Sequence, residues 1–230
     1  MSFTPAHVVT RQPEAEGLIQ LSLRPSDAAT LAGYTRPGQF VQVKVGEGRQ
    51  SYFAIANSPA QAQDAGAIEL LVQDQSGVGA TLAALHPGDE VEVSSVIGGG
   101  FALERAEGRP LLLFATGSGI SPVRAVIEHL PPNAGPVALY FGARSEARLP
   151  WRATLAAWAA RGVQVHLSLS QPEPGWSGHV GYVQALWAEQ GHPFAPDAAA
   201  VLCGVKGMVT DVSAALLAQG VPQERLLLNF

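Results

Sequence analysis

The sequence predicts a two-domain protein, in which an N-terminal antiparallel β-barrel is followed by a C-terminal α/β domain with a five-stranded parallel sheet. The length of 230 residues suits one large domain or two small ones. Over residues 1–104, short β-rich segments alternate with turns, a pattern typical of an antiparallel barrel. Over residues 105–230, apolar strands alternate with helices, which indicates a parallel sheet with helices on both faces.

The first domain is predicted from alternating apolar and polar residues and from turn signals. Segment 41–45 (VQVKV) has one apolar and one polar face, as expected for a half-buried strand. Pro-Gly dipeptides at 37–38 and 87–88 mark turns. The predicted strands are residues 7–10, 18–23, 40–45, 67–72 and 90–93, with one short helix near residues 81–85.

The second domain is predicted from strand–turn–helix units that follow a polar linker at residues 105–109. Its predicted strands are residues 111–115, 137–141, 163–169, 199–203 and 226–229. Helices are predicted near residues 121–130, 150–160, 180–189 and 207–219. We therefore predict that residues 1–104 and 105–230 form the two domains.

Composition excludes several classes of function. Hydrophobic residues make up 47% of the chain and charged residues 14%, which predicts a globular core rather than a disordered chain. The net charge of −5 has the wrong sign for binding the phosphate backbone, so we expect no nucleic-acid partner. Cys203 is the only cysteine, which excludes an internal disulfide and an iron–sulfur cluster ligated within this chain.

Metal binding and membrane insertion are not predicted either. No two of the six histidines are three to five residues apart, so no helical two-histidine metal site is indicated. No segment has the apolar length of a signal peptide or of a membrane span, and we expect a cytoplasmic protein. The oligomeric state is left open.

The first motif that carries chemistry is segment 111–124 (LLLFATGSGISPVR), an apolar strand that leads through a glycine turn into a helix. Ligands of open parallel sheets bind beyond the carboxyl ends of the strands, and a helix N-terminus offers N–H donors to phosphate. Gly117 and Gly119 allow the backbone to approach such a phosphate closely. The motif lacks the three spaced glycines of the dinucleotide fingerprint, and an ordinary glycine turn is the alternative.

The second motif is segment 200–208 (AVLCGVKGM), again a buried strand that ends in a glycine turn before a helix. This pattern predicts that Cys203 lies at the same edge of the sheet as Gly117. A lone cysteine at a strand end is also commonly a small core residue, and that alternative stays open for the segment taken alone.

The two motifs in this order resemble the nucleotide domain of the ferredoxin–NADP reductase family. Further segments resemble that family in the expected order along nearly the whole chain: 36–41 (RPGQFV), 53–59 (FAIANSP), 77–82 (GVGATL), 140–145 (YFGARS), 168–171 (SLSQ) and 181–184 (GYVQ). Segment 98–101 (GGGF) is similar to electron-transfer subunits of the same superfamily. The resemblance implies a flavin-binding barrel and an NAD(P)-binding α/β domain.

The resemblance implies a flavin site with an altered motif. The family's Arg-x-Tyr-Ser sequence aligns with residues 51–54 (SYFA), so Phe53 is the aromatic face and Ala54 cannot donate a side-chain hydrogen bond. Arg49 is a candidate substitute for the missing phosphate partner, and a solvated surface arginine is the alternative. The implied flavin-site residues are Arg49, Tyr52, Phe53, Ala54, Ile55, Val72, Gly77, Val78, Gly79, Ala80, Thr81 and Phe230.

The resemblance also implies a nucleotide site and two residues beside the reacting rings. Phe230 is expected to stack on the flavin, with closure of the sheet as the alternative, and Cys203 to border the nicotinamide as a positioning residue. Gln171 stands where NADP-preferring relatives often have arginine, and Arg144 could compensate, so NADH and NADPH both stay open. The implied nucleotide-site residues are Thr116, Gly117, Ser118, Gly119, Arg144, Ser170, Gln171, Tyr182, Cys203, Gly204 and Lys206.

The function implied is that of a flavin-dependent oxidoreductase, with FAD and NAD(P)H as cofactors. Electrons would pass from NAD(P)H through FAD to an external acceptor, which is ferredoxin-like or another electron carrier. A non-catalytic or partner-dependent electron-transfer module with weakened flavin binding is the alternative, because the Arg-x-Tyr-Ser side chains are missing.

Overall fold

The structure is a computed structural model that describes residues 2–46, 48–132 and 134–228. The described chain forms two compact units. The first contains the residues up to Gly100 together with Ser121–Leu130, and the second contains Phe101–Ile120 and Pro131–Leu228. The domain boundary between residues 104 and 105 stays a prediction. None of the helices in the described ranges is long and apolar enough to cross a membrane.

The first unit is built on a six-stranded antiparallel sheet with the strand order β4-β3-β6-β1-β2-β5. Its strands are β1 (Phe3–Ala15), β2 (Leu18–Pro25), β3 (Phe40–Val45), β4 (Arg49–Ala54), β5 (Ile68–Gln73) and β6 (Glu90–Ser94). The edge strands β4 and β5 contact each other, so the sheet curls into a barrel-like shape. The predicted antiparallel barrel is confirmed.

The period-2 pattern of β3 determines which side of β4 faces the core. Val41, Val43 and Val45 point into the hydrophobic core, and their partners across the ladder are Phe53, Ser51 and Arg49, in that order. Because directly opposed residues of an antiparallel pair share one face, residues 49, 51 and 53 lie on the core side of β4. Residues 50, 52 and 54 lie on the other face.

Three short helices interrupt the strands of the first unit, where the sequence predicts one. They are α1 (Ala28–Ala32), α2 (Pro59–Ala65) and α3 (Gly77–Ala83). Helix α3 begins four residues before the predicted helix at residues 81–85. Helix α2 begins with a capping box, in which Ser58 and Gln61 exchange side-chain to backbone hydrogen bonds, and ends at Gly66 in the left-handed region.

The second unit contains a parallel sheet with the strand order β10-β9-β8-β7-β11-β12. Its strands are β7 (Leu111–Thr116), β8 (Val137–Ala143), β9 (Gln164–Leu169), β10 (His179–Val180), β11 (Ala199–Cys203) and β12 (Leu226–Leu227). The parallel sheet is confirmed with one strand more than predicted. The extra strand β10 has two residues and lies where a helix was predicted to begin, and Asn229 of the predicted last strand lies outside the described residues.

The chain order of these strands creates a switch point at β7. From β7 the chain proceeds through β8, β9 and β10 in one direction, and then returns to β11 and β12 on the other side of β7. The helices of the chain's second half are α4 (Ile120–His129), α5 (Arg152–Ala160), α6 (Val183–Glu189) and α7 (Lys206–Ala218). Ligands of open α/β sheets bind beyond the strand ends at such a point.

An ion pair joins α4 to β5 within the first unit. Arg124 donates to the Glu69 carboxylate at 2.5 Å, and the two side chains are only 14% and 25% exposed. The Glu69 N–H donates to Asn57 Oδ1 at 2.8 Å, and Asn57 Nδ2 donates to the carbonyl of Ala67 at 3.0 Å. The Tyr34 hydroxyl donates to the Asn57 carbonyl at 2.7 Å. The Glu69 end of the ion pair is therefore held in place by a network of buried hydrogen bonds.

We expect Glu69→Gln to lower the free energy of unfolding of the protein by about 1.5–3 kcal/mol, the range for a lost hydrogen bond to a charged group. The loss follows because the substitution removes the charge from the acceptor of this hydrogen bond, while the guanidinium of Arg124 stays largely buried. Urea unfolding measures it. Glu90→Gln, which removes an exposed carboxylate of β6, is the control and should change stability by less than about 0.5 kcal/mol. Equal losses of unfolding free energy in the two variants would refute a stabilising role of the Arg124–Glu69 ion pair.

Candidate functional site

The glycine turns after β7 and β11 touch each other through their backbones. Gly117 has φ +54° and begins a single 3-10 turn that ends at Gly119. The Cα of Gly119 lies so close to Cys203 and Gly204 that a Cβ would overlap the Cys203 carbonyl group. The structure thus brings together the two motifs that the sequence predicts at this edge of the sheet.

A side chain fastens the same two turns. Thr116 Oγ1 accepts a hydrogen bond from the Val205 N–H at 3.0 Å. A Cβ at Gly204 would overlap Thr116 Oγ1, so glycine is required there by space. Ser118 is half-buried, and Lys206 is the exposed first residue of α7. The predicted residues 116–119 and 203–206 therefore form one surface at the β7–β11 switch point.

Cys203 is the last residue of β11 and is partly buried. Burial raises the pKa of the Cys203 thiol to about 11, so the thiol is neutral at physiological pH. A neutral thiol is a poor nucleophile. The environment therefore suits contact with a ligand rather than covalent chemistry.

The other predicted nucleotide-site residues lie at the carboxyl ends of β8, β9 and β10. The Ser170 N–H donates to the Ala143 carbonyl at 3.1 Å, and the Gln171 N–H donates to the Arg144 carbonyl at 2.7 Å. Arg144 is exposed, and the side chain of Tyr182, two residues after β10, is 66% exposed. These four residues form a second cluster of the same unit.

On the flavin side, the structure brings together the two candidate phosphate partners. Arg49 Nη2 donates to Thr81 Oγ1 at 3.4 Å, and Thr81 donates in turn to the Gly77 carbonyl at 3.3 Å. Arg49 therefore reaches the first turn of α3 from β4. A guanidinium and a hydroxyl beside the N–H groups of residues 77–79 are suited to binding an anion.

The first turn of α3 lies against the end of β5. A Cβ at Gly79 would overlap the carbonyl oxygen of Gln73, so glycine is needed for this approach, and Ala80 is half-buried in the same turn. The side chains of Ile55, Val72 and Val78 are buried in the hydrophobic core of this unit. The side chains of these three predicted flavin-site residues are therefore not available to a ligand.

The aromatic residues of β4 lie on opposite faces. Phe53 is half-buried against the hydrophobic core, whereas Tyr52 is 60% exposed and packs edge-on against Phe40 at 5.7 Å between ring centroids. Ala54 is paired with Phe40 across the ladder. The predicted stacking residue Phe230 lies outside the described residues.

Gln39 is not among the predicted site residues, and its side chain shapes the loops near β3. Its Oε1 accepts from the N–H groups of Thr35 and Arg36 at 2.8 and 2.9 Å, and its Nε2 donates to the Gly98 carbonyl at 3.0 Å. A Cβ at Gly100 would lie 2.7 Å from the Arg36 Cβ. Gly98 and Gly100 of this segment are therefore required for packing, since a Cβ at Gly98 would likewise lie 2.7 Å from Phe40 Cε1. Among residues 2–46, 48–132 and 134–228, no cluster of acidic, histidine or cysteine side chains could hold a metal ion.

Comparison with known proteins defines the class. Residues 113–214 match the family model described as oxidoreductase NAD-binding domain. The NAD(P)H-flavin reductase of Vibrio harveyi is 31% identical over 181 residues, which cover 75% of this chain and 74% of that protein. Fruit protein pKIWI502 of Actinidia deliciosa is 33% identical over 231 residues, which cover 94% and 73% of the two chains. The family model and these relatives define a flavin- and NAD(P)H-dependent oxidoreductase.

Solved structures share the fold at lower identity. The flavohem-like FAD/NAD binding domain of nitric oxide dioxygenase from Vibrio cholerae has a TM-score of 0.83 and 19% identity, covering 98% of this chain and 97% of that chain. A ferredoxin NADP+ reductase from Neisseria gonorrhoeae has a TM-score of 0.78 and 20% identity, covering 96% and 92%. The chain belongs to the ferredoxin–NADP reductase-like superfamily of flavoprotein oxidoreductases, which confirms the predicted class and its cofactors, FAD and NAD(P)H.

We expect the Cys203 thiol to react slowly with iodoacetamide in the folded protein at about pH 8. Burial raises the pKa of the thiol from 9.0 to about 11, so the thiolate fraction is about 100-fold smaller than in the unfolded chain. The rate should rise as the pH approaches 11, because deprotonation produces the nucleophile. Mass spectrometry follows the single cysteine, with the same protein in urea as the control. Equal rates in folded and unfolded protein would contradict the raised pKa.

Proposed function

We propose that the protein transfers electrons from NAD(P)H through FAD to a small external acceptor such as free flavin. The contact between the glycine turns after β7 and β11 carries the nucleotide half of this proposal. The two turns form a cradle of backbone groups at the switch point, in which a Cβ at Gly119 or Gly204 would overlap protein atoms, whereas a Cβ at Gly117 would meet nothing within 4 Å. A dinucleotide diphosphate fits such a cradle, since glycine allows close approach and the following helix offers N–H donors.

In this proposal, different residues around the cradle bind different parts of the nucleotide. Residues 117–119 would hold the diphosphate, and Cys203, Gly204 and Lys206 would border the nicotinamide. Arg144, Ser170 and Gln171 would lie at the ribose end, with Tyr182 against the adenine. Cys203 would act by shape, because its thiol is neutral.

The first unit supplies the residues that would hold the flavin. Arg49, Thr81 and the N–H groups of residues 77–79 would bind its diphosphate, and Phe53 would supply an aromatic face. When bound, the flavin supplies the redox chemistry, by accepting a hydride from the nicotinamide and delivering electrons to the acceptor. The protein needs no general acid or base for this transfer. Its groups would need only to bind the two cofactors, the flavin in the first unit and the nucleotide in the second.

The charge distribution supports a small acceptor over ferredoxin. Residues 1–104 contain five basic and eleven acidic residues, a net charge of −6, whereas residues 105–230 contain nine basic and eight acidic residues, a net charge of +1. An acidic carrier protein would be repelled by the flavin-binding half of the chain. A small acceptor such as free flavin presents far less charge.

A partner-dependent electron-transfer subunit is the second candidate. Sulfhydrogenase 1 subunit gamma of Pyrococcus furiosus is 29% identical over 201 residues, which cover 84% of this chain and 67% of that protein. The packed glycine loop at residues 98–101 resembles such subunits and supports this candidate. The first candidate predicts that the isolated chain catalyses repeated oxidation of NAD(P)H. The second predicts that it does so only with its partner.

We expect the purified protein to bind FAD and to show a flavin absorption band that bleaches when NADH or NADPH is added without oxygen. Added free flavin should then be reduced over many turnovers by the isolated chain, and comparison of the two nucleotides gives the preference. Bleaching without turnover would favour the partner-dependent subunit. A protein that takes up no FAD would refute the proposed function.

We expect Arg49→Ala to weaken flavin binding about tenfold, because it removes the cation beside the first turn of α3. Fluorescence titration of the apoprotein with FAD measures the dissociation constant. Arg24→Ala, which removes another exposed cation of the same unit, is the matched control and should leave the constant unchanged. Equal effects of the two substitutions would show that Arg49 acts only through overall charge.

A further inference from the structure

Polar side-chain contacts connect β9, β10 and α6 in the second unit. Ser168 of β9 has a fully buried side chain, and its hydroxyl lies 2.7 Å from the Gly181 carbonyl and 2.9 Å from His179 Nδ1. On its other side, His179 Nε2 lies 3.3 Å from the Glu189 carboxylate of α6. The His179 side chain is 11% exposed and the Glu189 side chain 65% exposed. The imidazole therefore bridges the sheet edge and the helix.

The direction of these hydrogen bonds follows from the single proton of a serine hydroxyl. Ser168 donates that proton to the Gly181 carbonyl, which is the shorter contact and has no proton to give. Ser168 Oγ must then accept from His179 Nδ1–H. His179 thus orients Ser168, and Ser168 holds the carbonyl of Gly181.

The same imidazole packs directly on Gly181. A Cβ at Gly181 would lie 3.1 Å from His179 Cε1, and the φ of Gly181 is +139°, in the region that favours glycine. The Gly181 N–H donates to the Leu169 carbonyl at 2.9 Å, and Trp176 Nε1 donates to the His179 carbonyl at 3.1 Å. Both polar groups of the Gly181 backbone are therefore fixed.

The fixed backbone of Gly181 determines the position of the residue that follows it, Tyr182. Strand β10 has only two residues, so its backbone hydrogen bonds to β9 are too few to fix Gly181. The side-chain contacts of Ser168 and His179 supply the additional restraint. Tyr182 follows Gly181 directly, precedes α6 as its N-cap residue and is 66% exposed. An exposed aromatic ring on a restrained backbone loses little entropy when a flat ligand stacks on it.

We propose that His179 is a positioning residue of the nucleotide site, which acts through Ser168 and Gly181 to hold Tyr182 for stacking on the adenine ring of NAD(P)H. This proposal rests on the proposed function, which places the adenine at Tyr182. It assigns His179 no contact with the nucleotide and no part in electron transfer.

The test separates nucleotide binding from turnover. In His179→Ala, we expect the KM for NAD(P)H and the dissociation constant of 5′-AMP to rise about tenfold, the loss expected for one base–aromatic stack, while kcat changes less than about twofold, since the nicotinamide end is untouched. Isothermal titration with 5′-AMP needs no flavin and no turnover. His86→Ala, which removes a histidine whose side chain is 80% exposed in the first unit, is the matched control.

Two further variants distinguish positioning from loss of folding. His179→Asn places an amide N–H near the position of Nδ1–H, so it should restore 5′-AMP affinity to within about twofold of the parent protein. Tyr182→Ala should lose as much affinity as His179→Ala, and the double variant should lose no more than either, because both act through one contact.

The possible results distinguish a failure of the His179 proposal from a failure of the proposed function. If the parent protein binds 5′-AMP and is reduced by NAD(P)H while His179→Ala keeps its affinity, the positioning role is refuted and the proposed function stands. Additive losses in the double variant, or a fall in kcat equal to the rise in KM, would also refute it. A parent protein that binds neither 5′-AMP nor NAD(P)H overturns both proposals.

Discussion

The backbone contact between the turns after β7 and β11 is the constraint on which the second unit depends. The two strands are parallel neighbours, so their carboxyl ends meet at one edge. Their turns can meet as closely as they do only because Gly119 and Gly204 have no Cβ, and the Thr116 hydroxyl then accepts the Val205 N–H. Space therefore limits the residue types in this cradle before ligand chemistry does, which explains why a glycine pattern is its strongest sequence signal.

The first unit meets a similar constraint at Gly79, which lies against the Gln73 carbonyl, but it adds charge through a side chain. Arg49 and Ser51, the residue aligned with the family arginine, lie on the same face of β4, because side chains alternate along a strand. Because Arg49 precedes Ser51 by two residues, its side chain starts about 6.6 Å further back along the strand. The long arginine side chain still reaches Thr81. Under the proposed function, Arg49 would therefore take the place of the arginine that the Arg-x-Tyr-Ser motif lacks here.

Sequence patterns predicted the barrel, the parallel sheet and the two glycine turns, because each depends on local periodicity or on a turn residue. They did not predict β10, whose two residues are too few to show a period. The pairs Arg124–Glu69 and Ser168–His179 were also missed, since partners 55 and 11 residues apart meet only in the folded chain. For Val72, the resemblance identified a position in the flavin site but not the direction of the side chain, which points into the core.

Under the proposed function, the charge of the two halves of the chain separates the two substrates. A pyridine dinucleotide is an anion, and the half of the sequence that would bind it carries a net charge of +1 and the exposed cations Arg144 and Lys206. The flavin-binding half carries −6, so it repels anionic carriers while leaving uncharged or weakly charged acceptors unaffected. Local cations such as Arg49 are then needed to hold the flavin diphosphate against that field. Discrimination among acceptors therefore arises from long-range charge, whereas discrimination among cofactors arises from close contact.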